Sequence, residues 1–174
     1  MLADNSLIHD IKTIIAQSRE QAVRAVNHER TVMYWHIGQR IFEEEQRGQD
    51  RADYGAYLVQ MIAERLQPEF GSGFSKRQIE LCRQFYRVFP IAHTLYSQLN
   101  WSQYKLLLRL DDKDKREFYI AESVKNNWTV RQLERQINSQ LYERLLLSND
   151  KQSVLAVVRT ERQPVNPKEI IAAA

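Results

Sequence analysis

The densest run of reactive side chains is Asp111-Asp112-Lys113-Asp114-Lys115. Clustered carboxylates beside a lysine are what a metal-dependent nuclease uses, the acids to hold Mg²⁺ and the cation to meet the scissile phosphate. The same run opens a predicted helix, where Asp112 caps free amides and acids suit the positive end of the macrodipole; capping is the preferred reading. His9, His28, His36 and His93 share no ligand spacing with cysteine or carboxylate, and zinc needs three or four convergent ligands. Cys82 falls on an apolar helical stripe, the setting of an inert buried thiol. Gly71-Ser72-Gly73 lacks the Lys-Ser/Thr that follows in a phosphate-cradling loop. No catalytic, cofactor-binding or metal-binding residue is therefore assigned, and no cofactor is expected.

Nucleic-acid recognition is better supplied. A helix over about 54–69, a glycine turn and a basic helix over about 76–89 stand in helix-turn-helix order. In that arrangement the second helix enters the major groove, its first residues reach base edges and its cations meet phosphates. Ser75, Lys76, Arg77 and Gln78 open this helix. Lys76, Glu80, Arg83 and Arg87 form a polar stripe opposite Ile79, Cys82, Phe85, Tyr86 and Phe89. Gln103, Lys105 and Arg131 lie near the starts of later helices, where free N–H groups favour phosphate. The expected DNA-binding set is Ser75, Lys76, Arg77, Gln78, Arg83, Arg87, Gln103, Lys105 and Arg131. The competing reading makes the same helix an ordinary amphipathic one with a solvated basic face.

These residues must be held by helices. Leu7, Ile11, Ile14, Ala22 and Ala25, then Val32, Trp35, Ile37, Ile41 and Phe42, recur at helical spacing. They predict one long helix, or two with a break near Asn27 to Arg30, started by Ser6 and ended at Arg47-Gly48. Glu43-Glu44-Glu45 reads as a solvated, frayed end, because acids oppose the dipole there. Asp53 to Phe70 follows, stopped by the glycines. Ser75 with Gln78 forms a capping box. Asn100 or Ser102, Asp112 and Thr129 cap three further helices, and Trp35, Trp101 and Trp128 read as core anchors. Val154 to Val158 reads as a short strand or packing arm, and Pro164, Pro167 and the final alanines as a loose terminus.

Composition sets the bounds. The 174 residues are 43% hydrophobic and 27% charged, with 5 glycines and 4 prolines, which suits a helical globular chain rather than a sandwich or barrel. The apolar runs are too short to span a bilayer, and the single cysteine fits a reducing cytoplasm. The net charge of +3 conceals an asymmetry: residues 1–70 carry a balance of −3 and residues 71–174 one of +6. A basic half makes a polyanion a reasonable partner.

Several ordered segments carry a resemblance over nearly the whole chain. Tyr34-Trp35-His36-Ile37-Gly38, Arg51-Ala52-Asp53-Tyr54-Gly55, Phe70-Gly71-Ser72-Gly73-Phe74-Ser75, Arg83-Gln84-Phe85-Tyr86, Leu99-Asn100-Trp101-Ser102 and Trp128-Thr129-Val130-Arg131-Gln132-Leu133-Glu134 resemble the N-terminal domain of the YhcG-like bacterial family. Longer members add a PD-(D/E)xK nuclease-like domain, and this chain stops before one would begin. The resemblance implies a nuclease-associated module that is not itself an enzyme. A more distant similarity, over about 54–137, is to the helix-turn-helix region of ParB-type partition proteins. Leu99, Lys105, Leu107, Leu108 and Leu110 match one of its segments, with Gln103 and Asn100 departing from it; Thr129, Val130, Arg131 and Glu134 match another.

The expected fold is all-α, a multi-helix domain with a helix-turn-helix core. Residues 1–50 would form a long helical region for oligomerisation, 51–147 the core and 148–174 a C-terminal arm. The expected function is a DNA-binding module that positions a nuclease domain or subunit on duplex DNA. The alternative is a helical oligomerisation or protein-interaction module without DNA contact. Expected partners are DNA, a second copy of the chain and a nuclease, with no membrane.

Overall fold

The computed structural model describes residues 2–48 and 53–160. The described residues are all-α, with α1 (Leu2–Arg47), α2 (Tyr54–Phe70), α3 (Lys76–Val88), α4 (Trp101–Leu107), α5 (Lys113–Asn126), α6 (Val130–Asn138), α7 (Leu141–Leu147) and α8 (Lys151–Thr160). Short 3-10 turns lie at Ser72–Phe74 and Ala92–Thr94. Contacts divide the chain into two compact units, Met1–Asp111 and Asp112–Ala174. That division falls inside the stretch 51–147 expected as one core, because α1 packs with α2 and α3 rather than standing apart from them.

In the first unit α1 is one unbroken helix. Its second half supplies Tyr34, Trp35, Gly38 and Ile41 to the core. Ile41 packs with Val59, Ala63 and Ile79 of α2 and α3. Gly38 lets α3 come close: a Cβ there would stand 2.0 Å from the Cys82 carbonyl oxygen. Trp35 Nε1 donates to the Phe89 carbonyl at 2.6 Å, satisfying an acceptor that a helix end leaves open. Phe85 meets the rings of Trp101 and Tyr104, which ties α4 to α3.

Local chemistry sets most boundaries. Gly71, at φ 88°, closes α2 in a conformation that side chains resist. Ser75 Oγ accepts from Gln78 N at 3.3 Å. Asn100 and Gln103 form a reciprocal capping box on α4, as do Thr129 and Gln132 on α6. Asp112 accepts from Lys115 N at 3.1 Å, the capping role preferred above.

The second unit packs Tyr119, Leu133 and Leu141, all fully buried. The Tyr119 hydroxyl donates to the Gln136 carbonyl and accepts from Tyr142 N, both at 3.2 Å. That one side chain joins α5, α6 and α7.

Two expectations are corrected. Ser6 is not a cap, because α1 already runs from Leu2. Val154 to Val158 is not a strand but part of α8, which buries Val158 and is started by Asp150, whose carboxylate accepts from Ser153 N at 3.1 Å; a local cap outweighed β propensity. The terminal segment with Pro164 and Pro167 lies outside the described residues.

Candidate nucleic-acid interface

The residues expected to form a helix-turn-helix are α2, the 3-10 turn at Ser72–Phe74 and α3. The first turn of α3 presents Lys76 and Arg77 to solvent, and no ion pair engages either of them among the described residues. Ser75 is half-buried and spends its oxygen on the cap. Gln78 is turned inward, its side-chain nitrogen buried without a hydrogen-bond partner. The Ser75–Gln78 box is therefore one-sided.

Further along α3 the basic stripe is engaged by acids, with Arg83 largely covered and Arg87 still exposed. Arg83 Nε lies 2.5 Å from Glu45 Oε1 and its Nη1 2.9 Å from Glu80 Oε1; Arg87 Nη2 lies 2.8 Å from Glu45 Oε2. The Glu45 side chain is 8% exposed and that of Arg83 17%. Gly55 makes room for this cluster, since a Cβ there would meet Glu45 Oε1 at 2.1 Å. Arg83 and Arg87 thus bind α3 to α1.

Glu45 was read as part of a solvated end and is instead buried beneath two cations. The signal was available: it lies four residues after Ile41, on the core side of α1.

Of the remaining candidates, Gln103 is 3% exposed and committed to its capping box. Lys105 is half-buried on α4. Arg131 is exposed in the first turn of α6, in the second unit, and is considered there by itself. The structure brings Lys76 and Arg77 together at one helix start, withdraws Arg83 and Gln103 into packing, and leaves Arg87 exposed but paired with Glu45.

Burial pushes the Cys82 thiol up to about 12, far from a reactive thiolate. Lys115 and Glu143, hydrogen-bonded to one another, are shifted up and down respectively. Among the described residues no group of three or more His, Cys, Asp or Glu is placed to hold a metal ion. No helix among them is long and apolar enough to cross a membrane.

The family model described as the DUF1016 N-terminal domain matches residues 10–144. The chain is 34% identical over 197 aligned positions to the protein named "Putative nuclease YhcG" of Escherichia coli (strain K12), an alignment covering 94% of this chain and 52% of that protein. The chain therefore spans about half the length of the curated relative it matches. No ParB-type partition protein stands among these matches, and no solved structure matches.

Proposed function

The chain belongs to the DUF1016 N-terminal domain family, and from that premise we propose that it is a cytoplasmic DNA-binding module that places a nuclease on duplex DNA. The observation that carries this reading is the pair Lys76 and Arg77, exposed and without an ion-paired acid among the described residues, at the start of a 13-residue helix. Unpaired amides, the helix dipole and two cations converge there on one anion-binding corner. Arg131, exposed at the start of α6, is a second cationic helix start. The basic balance of residues 71–174 supplies the wider attraction. In this reading the nuclease activity named for the relative resides in the half of it that this chain does not cover.

The interface is smaller than the sequence pattern implies. In the first unit Lys76, Arg77 and Lys105 meet the nucleic acid, with Arg87 exposed but partly neutralised by Glu45; Ser75 caps, and Arg83, Gln78 and Gln103 hold the helices.

The test is fluorescence anisotropy of a labelled mixed duplex, titrated with the chain at several salt concentrations. Affinity falls steeply with salt. The double variant Lys76→Ala, Arg77→Ala lowers the log–log salt slope by about 2 with the fold intact. Binding that is absent at low salt, or unchanged in the double variant, sinks the reading. A second reading, protein interaction without DNA contact, is favoured by the bare first half of α1, and the same titration separates the two.

A further inference from the structure

Every residue from Asn5 to Val26 of α1 is exposed. Leu7, Ile8, Ile11, Ile14, Ile15 and Val26 are each between 42% and 63% exposed. Most helical stability in proteins comes from packing of an apolar face, and so long an apolar stripe on a chain surface marks an interaction site.

Two geometric facts identify what covers it. Ile8, Ile11, Ile15, Ser18, Ala22, Val26, Glu29, Met33, His36 and Arg40 follow one another in steps of three and four, the spacing of a helix–helix seam. At about 100° per residue, this line lies about a third of a turn from the core face of Tyr34, Gly38 and Ile41. The line also runs into a groove between α1 and α2, about 550 Å³ in volume, whose apolar wall includes Met33, Ile37, Ile41, Leu58, Met61 and Ile62. Knob and groove thus lie along one side of the same helix.

We infer that two copies of the chain pair through α1 in antiparallel fashion, each copy's outer stripe seated in the α1–α2 groove of the other. A two-fold axis near Arg24 satisfies both stripes and both grooves at once, as an isologous interface requires. In that register Ile11 meets Ile37 of the second copy, Ile15 meets Met33, and Ala22 lies beside Val26 where the axes come closest. Arg19 then opposes Glu29, and among the described residues neither has an intrachain ion pair. This inference does not depend on DNA contact.

Light scattering of the full chain at micromolar concentration, without nucleic acid, gives twice the chain mass of 20.6 kDa. The variant Ile11→Asp, Ile15→Asp runs at the single-chain mass while circular dichroism shows that it remains folded. Arg19→Glu weakens pairing at least tenfold, and adding Glu29→Arg restores it. For the register, Ile15→Cys mixed with Met33→Cys cross-links under mild oxidation, and neither variant does so alone. A monomeric unaltered chain overturns the inference. So does Ile15→Cys cross-linking to itself, which marks parallel pairing.

Discussion

Glu45 Oε1 of α1 and Arg83 Nε of α3 stand 2.5 Å apart, with side chains 8% and 17% exposed. The carboxylate also holds Arg87 at 2.8 Å. One acid thus fastens the central helix of the first unit at two successive turns. Removing one partner of a buried pair leaves the other charge unsolvated, which costs more than the pair contributes. Glu45→Gln is expected to destabilise the chain by about 3 kcal/mol, read from the urea midpoint. A loss within experimental error would show that Arg83 finds water instead.

Gly38 is the second fastening. Alanine in place of a helical glycine ordinarily gains about 1 kcal/mol. Here the new methyl stands 2.0 Å from the Cys82 carbonyl oxygen, and a backbone atom in the facing helix cannot rotate away. Overpacking costs about 1–3 kcal/mol, sometimes more, so the clash wins. Gly38→Ala should lower Tm, and a raised Tm would mean that α1 and α3 can part without loss.

Cys82 is fully buried, and burial raises its thiol to about 12. Thiol reagents at pH 8 should therefore leave the native chain unlabelled and modify it only as fast as it opens. Immediate labelling in the absence of denaturant would contradict the packing of α3 on α1.

Lys115 and Glu143 join α5 to α7. Glu143 is held below its ordinary 4.5, chiefly by the hydrogen bond from Lys115. Its contribution is present above that value and is lost as pH falls through the depressed one. Lys115 is held above its ordinary 10.5, first by the same hydrogen bond. Its contribution is complete below that value and is lost as pH rises through the elevated one. Both side chains are partly solvated, so the effect is small. Glu143→Gln should flatten both limbs of a Tm–pH profile, most clearly below pH 4.5, and an unchanged acid limb would assign that limb to other carboxylates.

The elements were legible because their punctuation is local. Ser75, Asn100, Asp112 and Thr129 each accept a backbone hydrogen three residues on, so a cap and its target are read together. Of the proposed interface, the exposure of Lys76 and Arg77 was legible in the sequence. Arg83 and Arg87 have the spacing of an exposed face, and their partner lies 38 and 42 residues away on α1, beyond any periodicity argument. Gln103 failed likewise: its type suits base reading, but its amide is already spent at the start of α4. The stripe from Leu7 to Ala25 was visible as apolar spacing, yet only the structure shows that it stays exposed among the described residues.

The unbroken course of α1 means that its two halves should keep different time. In a subunit held apart from its mate, amide protons before Asn27 are guarded only by their own helical hydrogen bonds and should trade with deuterium at fraying rates. Those from Thr31 to Glu45, wedged against α3, should wait for the opening of the whole unit. One uninterrupted rod would then show a sharp step in exchange protection partway along its length, and mass-spectrometric deuterium uptake would place that step near Asn27.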